Sequence, residues 1–351
     1  QYLSDYTATW RAGMDNLNVR DYEAMPELTD ALEQIISGDQ PFQRALTALR
    51  DNTHALTLSG KLDDKAREAA INEMDYRLLS RLGHEFAPEN SALEEQKDKA
   101  STLQAVYQQL TELHRYLLAI QNSPVPGKSA LKAVQLRLDQ NSSDPIFATR
   151  QMAKTLPAPL NRWVGKLADQ AWHVVMVEAV HYMEVDWRDN VVKPFNEQLA
   201  GNYPFNPRAP QDAALDAFER FFKPDGILDT FYRDNLRLFL ENDLTFGDDG
   251  RVLIREDIRQ QLDTAQKIRD IFFSQQNGLG AQFAVETVSL SGNKRRSVLN
   301  LDGQLVDYSQ GRNYTAHLVW PNNMREGNES KLTLIGTSGG APRSNPSSGP
   351  W

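Results

Sequence analysis

The sequence predicts an α+β multidomain protein, in which a large all-α helical domain is followed by a small antiparallel β-sandwich-like domain. Up to about residue 280, apolar residues recur at helical spacing, as in Leu103, Val106, Leu110, Leu113 and Leu117. Beyond residue 280, short apolar runs alternate with glycine, asparagine and aspartate, which is typical of five or six antiparallel strands.

The charge changes at the same place in the chain. The 351 residues include 38 basic and 47 acidic side chains, for a net charge of −9. Residues 281–351 carry seven basic and five acidic side chains, a balance of +2, which leaves −11 on residues 1–280. We therefore predict a helical domain over 1–280 and a β-domain over 281–351. Within the helical domain, breaks near 122–160 or 200–210 would separate two subdomains.

Several shorter patterns predict where individual elements begin and end. The segment Ser91-Ala-Leu-Glu94 matches a capping box, and Asn122–Gly127 interrupts a helix with two prolines and a glycine. A long helix is expected from Trp163 to about Leu199, and a β-hairpin over Leu244–Ile254. The segment Gly336–Pro350 is rich in Gly, Ser and Pro and predicts a loosely packed tail.

Composition excludes several kinds of chemistry. The chain has no cysteine, which excludes disulfides, thiolate nucleophiles, zinc–thiolate sites and iron–sulfur clusters. The acidic balance argues against a nucleic-acid partner, which would need a basic face. No apolar run approaches the roughly 18–20 residues of a membrane-spanning helix. Because the first residue is Gln1 and no signal segment follows, we expect an excised fragment whose membrane anchors lie outside it.

The histidines of the predicted long helix make a poor metal site. His173 and His181 lie eight residues apart, which separates them by about 12 Å along a helix axis. Metal–nitrogen bonds are only about 2.1 Å long, so the two imidazoles cannot share one ion on a straight helix. A structural role is the better interpretation, and we predict neither a metal nor a cofactor.

Three other motifs have simpler structural explanations. Gly336-Thr-Ser-Gly-Gly340 matches G-x-S-x-G, but no helix can follow it to complete a nucleophile elbow. The segment Thr245–Glu256 has the glycine and glutamate of a calcium loop, but it lacks carboxylates at positions 1 and 3. The cluster Lys294-Arg-Arg296 has no flanking aromatic residues and reads as a solvated hairpin end.

Two segments are more distinctive than any catalytic motif. The first runs Tyr203-Pro-Phe205, Phe218-Glu-Arg-Phe-Phe222, Pro224-Asp-Gly226 and Leu228-Asp-Thr-Phe231, followed by a helix with Ala265, Ile268, Arg269, Phe272 and Phe273. The second runs Leu301-Asp-Gly-Gln304, Tyr308, Gly311, Trp320-Pro321 and Gly349-Pro-Trp351. Together they resemble the C-terminal part of the IcmF/TssM family, the inner-membrane component of type VI secretion systems. The resemblance covers essentially the whole chain in order.

The resemblance implies a periplasmic, non-enzymatic scaffold. Family members are anchored in the inner membrane, bind the outer-membrane lipoprotein TssJ, and build an envelope-spanning complex with TssL and further copies of themselves. The implied partners are therefore a TssJ-like lipoprotein, a TssL-like protein and other copies of this chain. No nucleic acid is implied, and no membrane contact within this fragment.

We expect the lipoprotein to contact loops and edges of the β-domain, because these recruit partners by shape and main-chain pairing. The predicted partner-binding residues flank three loops of that domain: Lys294, Arg295, Arg296, Tyr308, Gln310, Arg312, Asn313, Trp320, Asn322, Asn323 and Arg325. For the aromatic residues Tyr308 and Trp320, a role in the β-core or in turns is the favoured interpretation, and a role as partner anchors is the alternative.

Two further functions remain open on the sequence alone. One is a periplasmic hydrolase acting on cell-wall glycan, with a buried Glu178 as general acid beside His181. The other is a small-ligand-binding module between the helical and β parts.

Overall fold

The computed structural model describes residues 1–54, 63–95, 100–140, 144–247, 250–274, 278–322 and 329–351. Within these residues, helices occupy the chain as far as Phe272, and strands begin at Ala281. The predicted α+β class, helices followed by a small antiparallel β-domain, is confirmed. Among the described residues, no helix combines the length and apolarity needed to cross a bilayer.

The chain divides into two compact units, residues 1–183 (unit 1) and residues 184–351 (unit 2). The division falls inside a continuous helix, where composition gives no signal. The boundary predicted near residue 280 coincides with the change from helix to strand. As statements about domain organisation, this boundary and the breaks near 122–160 and 200–210 stay predictions.

Unit 1 is entirely helical in its described residues. Its helices are α1 Tyr2–Asn16, α2 Met25–Ile36, α3 Pro41–Thr53, α4 Asp64–Asn72, α5 Met74–Glu85, α6 Ala87–Ser91, α7 Thr102–Gln121, α8 Pro126–Gln140, α9 Pro145–Ala153 and the first part of α10 Leu160–Trp187. The predicted break at Asn122–Gly127 is confirmed, because α7 ends at Gln121 and α8 begins at Pro126.

Helix α7 forms the centre of unit 1. Its predicted apolar stripe is confirmed, since Leu110, Leu113 and Leu117 are completely buried. Helices α2 and α9 both pack against α7. The segment between α1 and α2 is held on α10, where the Trp163 indole N–H donates to the Leu17 carbonyl at 2.6 Å.

The capping box predicted at Ser91 is wrong, and the real one lies ten residues later. Ser91 ends the short helix α6, and its hydroxyl donates to the Pro88 carbonyl. Ser101 instead caps α7: its hydroxyl accepts from the Gln104 N–H, and the Gln104 side chain accepts from the Ser101 N–H. Both segments fit the motif, but among the described residues only Ser101 stands directly before a helix.

Replacing Ser101 by alanine is therefore expected to destabilise unit 1 by about 1 kcal/mol, because the Gln104 N–H at the start of α7 loses the hydroxyl that accepts its hydrogen bond. Ser91→Ala is the matched control and should change the free energy of unfolding by less than about 0.5 kcal/mol. Urea unfolding followed by far-UV circular dichroism measures both. Equal effects of the two substitutions would contradict this assignment of the cap.

The helices of unit 2 continue directly from α10. The predicted long helix is confirmed as α10 followed by π-helical turns over Arg188–Val192 and Asn196–Ala200, with α11 Lys193–Phe195 between them. The remaining helices are α12 Leu215–Phe222, α13 Ile227–Phe231, a π-turn at Tyr232–Leu236, α14 Arg237–Glu241 and α15 Glu256–Phe272. The hairpin predicted over Leu244–Ile254 is reduced to one antiparallel bridge between Phe246 and Val252, and Asp248 and Asp249 lie outside the described residues.

A cluster of aromatic rings forms the core of the helical part of unit 2. Phe218 on α12 is 2% exposed, and its ring centroid lies 4.9 Å from that of Phe222 and 5.4 Å from that of Phe272 on α15. Phe205 lies in the segment that precedes α12, and its ring stacks on that of Phe222 with 5.9 Å between the centroids. The F-x-x-F-F pattern of α12 thus places its rings against both α15 and the preceding loop.

Helix α13, which follows a tight turn after α12, is fixed to α15 by an ion pair. The Arg269 guanidinium lies 2.9 Å from the Asp229 carboxylate, and both side chains are largely buried. Gly226 allows this turn, because a β-carbon there would lie 2.7 Å from the Arg220 carbonyl oxygen. The glycine, the aspartate and the arginine of the family-like pattern therefore act together in one junction.

The β-part of unit 2 has two antiparallel sheets. A two-stranded sheet pairs β1 Ala281–Glu286 with β4 Thr315–Trp320. A four-stranded sheet has the order β3-β2-β5-β6, formed by β3 Gln304–Tyr308, β2 Lys294–Leu301, β5 Glu329–Gly336 and β6 Arg343–Ser348. The Gln304 side-chain amide joins the two sheets, since it donates to the Val319 carbonyl at 2.6 Å and accepts from the Val319 N–H at 2.9 Å.

The prediction of a loose tail after Gly336 is wrong. Strand β6 pairs with β5 from Glu329↔Ser348 to Leu334↔Arg343, although all six of its side chains are exposed. After β6, Trp351 packs on the aromatic cluster, with its ring centroid 4.9 Å from both Phe218 and Trp320. The Trp351 indole N–H also donates to the Ala213 carbonyl at 2.6 Å, so the end of the described chain ties the strands to the helices of unit 2.

Candidate partner-binding surface

The loops of the β-part lie at its two ends. At one end, the loops 287–293, 309–314 and 337–342 are connected by hydrogen bonds, and we call this the three-loop end. There the Thr337 N–H donates to the Asn293 carbonyl, and the Tyr308 hydroxyl donates to the Val288 carbonyl. At the opposite end, Asn322 contacts the β2–β3 turn, and the Trp320 indole N–H donates to the Pro350 carbonyl.

The predicted basic cluster starts strand β2 at the three-loop end. A register shift between Lys294 and Arg296 marks a β-bulge at Arg295, and bulges re-aim side chains. Arg296 is neutralised by Asp307 on the neighbouring strand β3, with 2.8 Å between Nε and Oδ1. Arg295 is exposed and makes no ion pair within the described part of the chain, so it presents its charge to solvent.

The loop between β3 and β4 brings a second exposed cation to the same end. The Gln310 side chain donates to the Lys294 carbonyl at 3.3 Å, which ties this loop to the start of β2. The Asn313 side chain accepts from the Tyr308 hydroxyl at 2.9 Å. Arg312, between these two anchored residues, is exposed and unpaired among the described residues. The structure thus brings together Lys294, Arg295, Arg296, Gln310, Arg312 and Asn313.

The two predicted aromatic anchors are packed inside the protein. Tyr308 is 8% exposed, and its hydroxyl is engaged by Asn313 and the Val288 carbonyl. Trp320 is half-buried against Trp351 and Phe272. Both therefore occupy the core position that the favoured interpretation of the sequence gives them.

The last group of predicted residues lies away from the three-loop end. The Asn322 N–H donates to the Asp302 carboxylate at 3.0 Å, and its side-chain amide donates to the Asp302 carbonyl. This places Asn322 beside the β2–β3 turn, at the opposite end of the sheets from Arg295. Asn323 and Arg325 lie outside the described residues.

The residues considered for catalysis or ligand binding are not gathered into a site. Glu178 is half-buried and His181 is exposed, and both lie on α10. Among the described residues, no group of three or more His, Asp or Glu side chains could hold a metal ion. A cavity of about 290 Å³ lies among α13, α14 and α15, lined by residues such as Leu228, Tyr232 and Arg269, and not between helices and strands.

Comparison with known families matches three separate parts of the chain. Residues 1–54 match the model described as IcmF-related, "Intracellular multiplication and human macrophage-killing". Residues 178–275 match the type VI secretion protein IcmF helical domain, and residues 283–351 match the IcmF C2-like domain. The three models follow one another in the order of a single protein family. The chain belongs to the IcmF/TssM family.

A curated relative of this IcmF/TssM chain is the type VI secretion system component TssM1 of Pseudomonas aeruginosa. It is 22% identical over 347 residues, which cover 91% of the present chain. The chain spans about a third of that relative, namely 31% of its length.

Solved structures with the same fold come from assemblies of this secretion system. A chain of a structure named "Type VI secretion system membrane core complex" has a TM-score of 0.71 at 19% identity, covering 100% of this chain and 70% of that chain. A chain of a structure named "Type VI membrane complex" has a TM-score of 0.70 at 19% identity, covering 100% and 67% respectively. At this identity the likeness establishes the fold of the IcmF/TssM chain and no more.

Sequence reasoning missed two exposed apolar side chains at the three-loop end. Val288 is 69% exposed and Tyr314 is 41% exposed. Tyr314 is held by its hydroxyl, which accepts from the Asp307 N–H and donates to the Asp307 carbonyl. The apolar pattern around Val288 and Tyr314 resembles that of the neighbouring strands. The sequence therefore does not distinguish these exposed residues from buried strand residues.

The Arg296–Asp307 pair gives this end of the domain a measurable pH response. The hydrogen bond and the charge of the Arg296 guanidinium lower the pKa of the Asp307 carboxyl below its usual value. Because the folded-state pKa is depressed, the pair's contribution to stability is present above about pH 4 and is lost as the pH falls through the folded pKa. NMR titration of the Asp307 carboxyl should show the low midpoint, and Arg296→Ala should return it toward the ordinary value. An unchanged midpoint in that variant would contradict the assignment.

Proposed function

We propose that this chain is a periplasmic, non-enzymatic part of the type VI secretion membrane complex. In this role it binds a TssJ-like outer-membrane lipoprotein and links the inner to the outer membrane. The observation that carries the proposal is the ordered series of IcmF domains along one chain. A TssL-like inner-membrane protein and further copies of the chain are the other proposed partners.

We place the lipoprotein contact at the three-loop end. This end presents two cations, Arg295 and Arg312, which make no ion pair with any described residue, beside the exposed side chains of Val288 and Tyr314. Arginine and tyrosine are enriched among the residues that dominate binding energy at protein interfaces. A rim of unpaired charge around apolar contacts also speeds association with a partner of opposite charge. Tyr308 and Trp320 are left out of the proposed surface because they are packed internally.

The end of the β-part opposite the three-loop end is a poorer candidate for the contact. Trp320 and Trp351 lie against Phe272 and Phe218, so this end is already occupied by the helices of unit 2. Deleting residues 281–351 would remove Trp320 and Trp351 from the aromatic cluster and expose the remaining rings to water. Loss of binding after that deletion would therefore report misfolding as much as a lost contact, and surface substitutions are the better test.

The test is charge reversal at the three-loop end, in the variant Arg295→Glu/Arg312→Glu. The affinity for the purified lipoprotein, measured by biolayer interferometry, is expected to fall at least tenfold, because two exposed cations become anions. The matched control is Lys267→Glu/Lys331→Glu, which reverses two exposed lysines of unit 2 away from this end. The control should stay within twofold of the parent. If both variants bind the lipoprotein with equal affinity, the lipoprotein does not contact the three-loop end.

A further inference from the structure

The helical hairpin α4–α5 of unit 1 carries an apolar surface that the described protein leaves uncovered. Helix α4, Asp64–Asn72, has no buried residue. Three large apolar side chains of the hairpin are exposed: Ile71 at 44%, Met74 at 73% and Leu78 at 39%. A nine-residue helix is marginal in water by itself, and most helical stability in proteins comes from packing an apolar face. The exposed apolar side chains of this hairpin would therefore be stabilised by burial against a bound partner.

A groove runs along this hairpin, with a volume of about 650 Å³. Its lining includes Ile71, Tyr76, Arg77, Arg81, His84 and Glu85. Arg77 and Arg81 are four residues apart on α5, so their side chains lie on the same helix face. The groove thus combines the exposed Ile71 side chain of α4 with the basic side chains of α5.

The basic side chains of the groove are not neutralised within the described protein. The Arg77 guanidinium donates to the Asn72 side-chain oxygen at 2.8 Å, which is a neutral partner. Arg81 makes no ion pair in the described ranges. The carboxylate of Glu85, which also lines the groove, pairs with Arg11 at 3.4 Å. The groove is therefore locally basic in a chain whose net charge is −9.

We propose that the α4–α5 groove binds an acidic, amphipathic helical segment of a partner protein. Amphipathic helices dock in apolar grooves through residues spaced one turn apart. The guanidinium fork of arginine pairs with carboxylates in two parallel hydrogen bonds, so Arg77 and Arg81 select an acidic helix over a basic one. A two-fold contact between two copies of this chain would set these cations against each other, because such an interface uses the same patch twice.

The test measures binding of an 18-residue synthetic helix to the purified full chain by fluorescence anisotropy. The peptide has leucines on one face and glutamates on the other, and its twin has lysines in place of the glutamates. The parent is expected to bind the acidic peptide at least tenfold more tightly than the basic twin. Arg77→Glu/Arg81→Glu should reverse that preference, since the cations of the groove become anions. The matched control, Lys65→Glu/Arg67→Glu on α4 outside the groove, should keep the parental preference.

Each other outcome overturns the proposal. Equal binding of the acidic peptide to the parent and to Arg77→Glu/Arg81→Glu, or no binding to either, removes the groove as an acidic-helix site. Binding of phosphatidylglycerol vesicles but not of the peptide would assign the groove to a lipid surface. Self-association in analytical ultracentrifugation that Arg77→Glu/Arg81→Glu abolishes would assign it to a second copy.

Discussion

Replacing Phe218 by alanine is expected to lower the free energy of unfolding of unit 2 by about 3–5 kcal/mol. The ring is 2% exposed and touches rings from three directions: Phe222 on its own helix, Phe272 on α15, and Trp351 after β6. Removing it leaves a cavity where the helices and the strands meet, and the surrounding rings cannot all collapse into it.

The measurement is urea unfolding followed by tryptophan fluorescence, because Trp351 lies beside the substituted site. Phe246→Ala is the matched control: its ring is 59% exposed, so the same change of residue type removes little buried area. The control should shift the free energy by less than about 1 kcal/mol. Comparable losses in the two variants would mean that the aromatic cluster does not hold unit 2 together.

The second large effect is expected at Gly349, where alanine should destabilise unit 2 by at least about 2 kcal/mol. Gly349 has a φ of 126°, a conformation that side-chain-bearing residues rarely adopt. A β-carbon there would also overlap the Asp212 Oδ2 atom. Because Gly349 positions Trp351, the clash would also shift the indole that donates to the Ala213 carbonyl.

A double-mutant cycle separates the two causes. In the Asp212→Ala background the overlap with the carboxylate is gone, and only the backbone strain of Gly349→Ala remains. We therefore expect the cost of Gly349→Ala, measured by urea unfolding, to be smaller in that background than in the parent. An identical cost in both backgrounds would assign the whole effect to the backbone.

Much of the fold could be predicted because the helices of unit 1 obey a period. In α7, apolar residues every third or fourth position mark the buried stripe, and the described structure places it at the centre of unit 1. The start of that helix could not be predicted, because Ser91-x-x-Glu94 and Ser101-x-x-Gln104 both match a capping box. Only the packing of α7 shows which serine precedes a long helix.

Strand β6 was missed for a different reason. Its sequence, Arg-Ser-Asn-Pro-Ser-Ser, has no apolar residue, and every side chain is exposed. It is ordered by main-chain pairing with β5, an interaction that leaves no mark in the side-chain pattern. A composition rich in Gly, Ser and Pro therefore predicts a tail where the structure has an edge strand.

The candidate surface could be predicted only in part. The sequence identified the cations at the start of β2 and in the β3–β4 loop, and the structure brings them to one end. The sequence could not separate these cations from Asn322, which lies at the other end because β4 runs the full length of the sheet. Nor could the sequence predict that Arg296, and not Arg295, pairs with Asp307, since a β-bulge decides which cation faces that carboxylate.

The amide of Gln304 has a consequence for how this domain meets other chains. Val319 lies on β4, and its N–H and carbonyl are both taken by that one side chain. An exposed strand edge is a template on which foreign strands can grow, and proteins protect such edges with covering groups. At Val319 a single glutamine substitutes for an absent neighbouring strand, so this border of the sheet resists indiscriminate strand addition and leaves recognition to the loops.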